Sequence, residues 1–326
     1  MNKTKVVGLL LAIILLAGVL TGCGTKAAVQ NSGTAATQQA QTFPLKVTDF
    51  NGFEMTIPKK PERIISLTLG TDEMLLSLVD KSRIKYLSGK IADDAGISNV
   101  ADQAKSFPKA ENNLETIIAA KPDLVLAASW MKKEAIQQLR DAGIPVYCYG
   151  TPTNIEEQKK VVLETAHLVG EDAGGQQIVA DMDKKLQDIA ARLQTLKPGE
   201  RLSVLSYNTF GSSSGLGTMF DDLAGKADLV NLVSKAGLKQ YSQLSREEIV
   251  KLNPDIIIIP SWSYDKKRDP ASFLTELETD KSLAGVNAVK NHRVYMLPDK
   301  HMTCVSQYIV LGVEALAKAA YPQLFR

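Results

Sequence analysis

The chain has 326 residues, 44% hydrophobic and 23% charged, with a formal net charge of +2. Those values describe a globular protein with a core and enough length for two domains. There is no basic stripe, no zinc-ligand spacing and few aromatics beside arginine, which excludes nucleic acid as a partner.

In chain order, Lys3 and Lys5 precede an uninterrupted apolar run over 6–20, followed by Leu20-Thr21-Gly22-Cys23. The run is shorter than the ~20 residues that cross a bilayer as a helix. Small residues before a cysteine match the bacterial lipoprotein signal, in which the leader is cut before the Cys and its thiol is acylated. Residues 1–22 are therefore expected to be a leader and Cys23 the lipidated residue. Residues 23–43 are small and polar and read as a flexible tether. The expected location is the cell membrane, lipid-anchored on the extracytoplasmic face.

Residues 44–154 read as an N-terminal lobe. Residues 45–57 alternate around Asn51-Gly52, a strong hairpin signal. A strand over 63–67 leads into a helix over 72–79 with Thr71 as its N-cap. A strand over 83–87 and a long polar stretch to Asn113 follow. Then come a helix at 114–120, a strand at 123–128, a helix at 132–141 ending at Gly143, and a strand at 145–149. This alternation implies a mostly parallel sheet covered on both faces. Residues 155–198 read as a helical connector. One helix over 155–169 stops at Gly170, and a second over about 172–196 stops at Lys197-Pro198-Gly199. At ~1.5 Å per residue the second would span roughly 37 Å, enough to bridge two lobes. Residues 199–326 read as a C-terminal lobe with strands at 201–207 and 293–297. Its helices are placed at 218–224, 271–277 and about 304–320.

The chain also repeats itself. Residues 115–130 (E-T-I-I-A-A-K-P-D-L-V-L-A-A-S-W) and 247–262 (E-E-I-V-K-L-N-P-D-I-I-I-I-P-S-W) superpose with a shift of 132 residues. Each copy is a short helix, a Pro-Asp turn, a buried strand and a tryptophan at the strand's carboxyl end. Trp130 and Trp262 are the two tryptophans of the chain. Ligands of open α/β sheets bind outside the carboxyl ends of strands, so two facing half-sites are expected. The plainer alternative is that both rings cap the core.

The other motifs argue against enzymatic chemistry. The run G-S-S-S-G-L-G at 211–217 fails as a dinucleotide loop, because Phe220 stands where the next glycine is required. Ser212–Ser214 are read as loop residues rather than as nucleophiles. Neither a catalytic residue nor a metal site is assigned. His301-Met302 offers two haem-ligand types in a loop, although a plain loop histidine with no metal is the more ordinary reading. Lys132 and Lys133 follow Trp130, and Lys266, Lys267 and Arg268 follow Trp262. They are either a solvated face or an attractor for an anionic ligand. Glu115 and Glu247 are either ordinary first-turn acids or a matched pair that docks on a two-fold partner. Cys148 and Cys304 are expected to be buried free thiols rather than a disulfide.

These residues resemble the substrate-binding lipoproteins of bacterial ABC importers for iron complexes and cobalamin. The resemblance covers roughly residues 45–326. It rests on P-E-R-I-I-S-L (61–67), E-T-I-I-A-A-K-P-D-L-V (115–125), A-G-I-P-V (142–146), L-S-R-E-E-I-V-K-L-N-P-D-I-I-I (244–258) and R-V-Y-M-L-P (293–298). It implies two Rossmann-like α/β lobes joined by a single long helix, with the ligand in the cleft and little hinge motion. It implies that Glu115 and Glu247 meet arginines of a permease dimer that works with a cytoplasmic ATPase. It places Tyr241 at an aromatic cleft position of cobalamin-binding relatives. Two segments depart from the family pattern. Residues 226–238 lack its A-G-G-x-N run, and the loop D-K-H-M-T-C-V-S-Q-Y lacks Gly-Pro-Arg.

The resulting expectation is a monomeric binding protein with no intrinsic cofactor. Trp130, Trp262, Tyr207, Tyr241 and Tyr264 would supply stacking and apolar burial, and Lys132 and Lys266 would meet anionic groups. The ligand would be a metal chelate: ferric siderophore first, then cobalamin-like corrinoid, or haem with His301 and Met302. A surface-anchored sensor and a chelatase-like enzyme on the same fold are the competing readings.

Overall fold

The structure, a computed structural model, describes residues 42–197, 199–263 and 269–326. The leader, Cys23 and the tether up to residue 41 lie outside the described residues, as do Tyr264 and Lys266.

The described chain enters as a hairpin, β1 (Leu45–Thr48) antiparallel to β2 (Glu54–Ile57). Asp49 closes its turn by accepting from the N–H groups of Asn51 and Phe53, each at 2.9 Å. Gly52 takes the positive φ, +81°, that the turn requires. The first lobe then runs β3 (Ile64–Ser66), α1 (Leu69–Leu78), β4 (Ile84–Tyr86), α2 (Ala101–Ala104), α3 (Leu114–Ala119), β5 (Leu124–Ala128), α4 (Lys133–Asp141) and β6 (Val146–Tyr149). Two helices follow, α5 (Ile155–Val169) and α6 (Asp172–Leu193). The second lobe runs β7 (Ser203–Ser206), β8 (Ser212–Ser214), α7 (Met219–Lys226), β9 (Val230–Asn231), α8 (Leu232–Lys235), β10 (Tyr241–Gln243), α9 (Arg246–Leu252) and β11 (Ile256–Pro260). It closes with α10 (Pro270–Thr279), α11 (Asn287–Lys290), β12 (Val294–Leu297), α12 (Asp299–Met302) and α13 (Val310–Ala320).

The two main sheets share one topology. Strands pair in the order β4-β3-β5-β6 in the first lobe and β9-β7-β11-β12 in the second, all in parallel. Numbered within each lobe, both read second–first–third–fourth. The repeat in the sequence occupies the same place in each, because the shift of 132 residues carries β5 onto β11 from end to end. Its two aspartates have matching structural work. Asp123 accepts from the N–H groups of Glu62 and Arg63, at 2.9 and 2.8 Å, just before β3. Asp255 accepts from Ser203 N and Oγ, at 2.9 and 2.7 Å, at the start of β7.

Period-two alternation sorts each strand between two cores. Leu124, Leu126 and Ala128 of β5 and Ile256 and Ile258 of β11 all join one continuous apolar cluster. That cluster also takes in Met182, Ile189 and Leu193 of α6 and Val313, Leu316 and Ala317 of α13. The alternate residues go elsewhere: Val125 and Ala127 to a second cluster in the first lobe, Ile257 and Ile259 to a third in the second lobe. One helix and one shared core therefore join the lobes. The long helix covers 22 residues, roughly 33 Å at ~1.5 Å each. Gly170, left-handed at φ 75°, stops α5 just before it.

Three local expectations need correction. Helix α1 begins at Leu69 rather than 72, because Thr68, and not Thr71, is the extended N-cap and accepts from Thr71 N. The serine run at 212–214 is not a loop. It is strand β8, paired antiparallel with β10 so that Ser214 faces Tyr241. His301 and Met302 lie in α12, and the terminal helix starts only at Val310 after a 3₁₀ turn at Gln307–Ile309.

Candidate ligand cleft

In each lobe the strand order reverses between the first strand and the third, and α/β folds bind ligands at the carboxyl edge of that switch. Two of the cavities among the described residues lie there. The larger, of about 570 Å³, is lined from the second lobe by the last residues of β11 and by residues following β7 and β12, and from the first by Thr151, Pro152 and Thr153 after β6. The smaller, of about 270 Å³, is walled by Gly70, Ile91 and Trp130 of the first lobe and Trp262, Cys304 and Val305 of the second. Thr151, Thr303, Cys304 and Val305 line both, so the two adjoin in one cleft. The larger volume falls in the ~300–1,000 Å³ range of small-molecule sites.

Trp262 is held from both sides. Asp299, at the carboxyl end of β12, accepts from the N–H groups of Ser261 and Trp262 at 2.6 and 2.8 Å. Burial pushes the Asp299 carboxyl above its ordinary pKa, and these hydrogen bonds pull the other way. The indole Nε1 donates to Asp94 Oδ2 of the first lobe at 2.9 Å. Gly96 makes room for the ring, since a Cβ there would lie 2.7 Å from Trp262 Cδ1. At the back of the smaller cavity the Thr68 hydroxyl meets those of Thr71 and Tyr149.

The structure brings the two tryptophans to one cavity, as the repeat implied, with Trp130 69% exposed. Tyr241, 74% exposed, and the buried Met302 line the larger cavity. Tyr207 lines it too, but as a wall. It is 6% exposed, its hydroxyl donates to Leu244 O at 3.0 Å, and its ring stacks on Phe273 at 5.9 Å, so no free face remains for stacking. Lys132 is also corrected. It is exposed at the N-cap position of α4 and lines neither cavity. His301 is half-buried and lines neither cavity, so it and Met302 do not face the cleft as a pair. Burial, and then Lys300 beside it, lower the His301 pKa. Glu115 and Glu247 stand exposed in the first turns of α3 and α9, capped by Asn113 and by a Ser245–Glu248 capping box. Cys148 and Cys304 are buried and free.

Sequence reasoning missed Asp94, Asp299 and Thr151. The carboxyl-end rule would have found the last two, which follow β12 and β6. Asp94 lies in the polar stretch before Asn113, where no periodicity marked it.

Residues 64–301 match the model of a family described as periplasmic binding protein. The chain belongs to that family. Two relatives of this periplasmic binding protein come from Bacillus subtilis. An ABC transporter substrate-binding lipoprotein is 29% identical over 338 residues, covering 99% of each chain. An iron-uptake system-binding protein is 27% identical and covers 90% of each. Among solved structures, the molybdate-bound periplasmic binding protein of Haemophilus influenzae superposes with a TM-score of 0.70 at 22% identity, covering 86% of this chain and 92% of that one. At that identity the likeness speaks for the fold: two lobes of parallel sheet, one long helix and a cleft between.

Proposed function

We propose that this periplasmic binding protein is the capture component of an ABC importer. It is tethered through lipidated Cys23 on the extracytoplasmic face of the membrane, takes a metal chelate between its lobes and hands it to a permease served by a cytoplasmic ATPase. The observation that carries the reading is the convergence of Trp130 and Trp262, one from each lobe, on a single cavity. Two indoles at the mouth of a largely apolar cleft suit a chelate with broad flat faces and a polar rim. Ferric siderophores and corrinoids have that form. The haem reading leaned on His301 with Met302, and His301 lines neither cavity. The names of the relatives, one of them an iron-uptake binding protein, support the same class.

Docking rests on the repeat. Glu115 and Glu247 are exposed on equivalent helices, and one turn after each the same shift of 132 residues pairs two exposed aliphatics, Ile118 and Val250. A matched acid and aliphatic on each lobe suits a two-fold partner with basic, partly apolar pockets. Reversing both acids, Glu115→Lys with Glu247→Lys, should abolish cellular uptake of the chelate while the purified protein keeps its affinity. Uptake that survives the double reversal would remove the importer role.

A further inference from the structure

The charge of the cleft narrows the ligand further, on the reading that the cleft captures a chelate. Among the described residues, no lysine, arginine or histidine lines either cavity. The charged side chain in the lining is a carboxylate, Asp299, already engaged by Ser261 and Trp262. A second buried carboxylate, Glu73, is bonded to Ser306, the residue after the cleft residue Val305. Glu73 accepts from Asn99 N and Nδ2, at 2.7 and 3.0 Å, and from the Ser306 hydroxyl, with no cation beside it in those contacts.

The polar groups left for a ligand are uncharged. Thr151, Ser214, Gln240 and Tyr241 line the larger cavity, and their side chains make no hydrogen bond among the described residues. They offer two aliphatic hydroxyls, a carboxamide and a phenol, all of which both donate and accept. An anion entering this cleft would leave water, meet buried carboxylates and find no cation in the described lining, the arrangement in which burying a charge is least favourable. A neutral chelate meets no such penalty, and its amide or carbonyl rim matches the four free groups.

We infer that the cleft selects an electrically neutral metal chelate, held by uncharged hydroxyl and amide groups and by aromatic faces. Two kinds of molecule share that chemistry: a ferric trishydroxamate, whose three anionic arms cancel the charge of the iron, and a corrinoid with an uncharged amide rim. Trianionic ferric triscatecholates, ferric citrate, haem with its propionates and oxyanions are the excluded class.

The test is calorimetric titration of the purified full-length protein with ferrichrome, cyanocobalamin, ferric enterobactin, ferric citrate, haem and molybdate. Ferrichrome or cyanocobalamin should bind at least ~100-fold more tightly than any anionic probe, and which of the two does so identifies the source. Its affinity should change by less than about two-fold between ~50 and ~500 mM NaCl, because no ion pair is screened. The same titration of the triple variant Lys266→Gln/Lys267→Gln/Arg268→Gln should give an unchanged affinity. Preferred binding of an anionic chelate, a steep loss of affinity with salt, or loss of binding in the triple variant would overturn the inference and leave the capture function standing. Failure of every chelate, neutral and anionic alike, would overturn the capture reading itself.

Discussion

Trp262 of the second lobe donates its indole N–H to Asp94 Oδ2 of the first, 2.9 Å away. Its backbone N–H is meanwhile fixed by Asp299 at 2.8 Å. The ring is thus a strut across the cleft, anchored in one lobe by main chain and in the other by side chain. The lobes already share a continuous apolar core through α5, α6 and α13, so the strut adjusts the cleft of a nearly rigid frame rather than holding two loose bodies together.

Replacing Trp262 by Phe keeps an aromatic surface and removes the donor. The lost hydrogen bond to a carboxylate corresponds to ~1–3 kcal/mol, partly offset because Asp94 can turn to water. Urea unfolding should show a loss near the lower end, and stopped-flow mixing should show faster ligand entry. Gly96→Ala should reproduce both effects, since its Cβ would lie 2.7 Å from the ring. Entry rates equal to wild type in both variants would mean that the strut does not gate the cleft.

Gly70 packs α1 against the second lobe at Val305. A Cβ there would lie 2.4 Å from the Val305 carbonyl oxygen, a backbone atom with little freedom to yield. Gly70→Ala should lower the unfolding free energy by ~1–3 kcal/mol as an overpacking change. Both residues line the smaller cavity, so the dissociation constant for the ligand should rise as well. An unchanged unfolding midpoint would show that the lobes separate there without strain.

Asp72 is buried in the first lobe, where burial raises its pKa from 3.8 to about 6 against the pull of Ser66 and Ser88. The folded state therefore binds the proton more tightly than the unfolded chain does. This group's contribution to stability is fully present below pH 3.8 and is lost as pH rises to about 6. Asp72→Asn has no proton to lose. Measured by urea unfolding across this range, the stability of the variant relative to wild type should increase with pH and then level off. A constant difference at every pH would show that Asp72 titrates normally.

The parallel sheets, the long helix and the pairing of the two lobes were legible because buried parallel strands leave continuous apolar runs, such as Ile256–Ile259, between Pro-Asp turns. The repeat even located both tryptophans at one cavity. What stayed hidden depended on contacts distant in sequence. Nothing local in R-L-S-V-L-S-Y shows that Tyr207 turns into the core against Phe273. Nothing local shows that Ser212–Ser214 finds a partner strand at Tyr241–Gln243. Lys132 illustrates the same limit from the other side: proximity to Trp130 in sequence does not place it in the cleft, because Lys132 is the exposed N-cap residue of α4, which begins at Lys133.

The most direct test of a ligand seated between the lobes is tryptophan emission, because the protein has two tryptophans and both line the smaller cavity. The single variants Trp130→Phe and Trp262→Phe each leave one reporter, on opposite lobes. With a bound metal chelate, saturable quenching should appear in wild type and in both variants, with midpoints that agree with calorimetry. Calorimetric binding with the emission of both reporters unchanged would place the ligand outside the cleft and contradict the account.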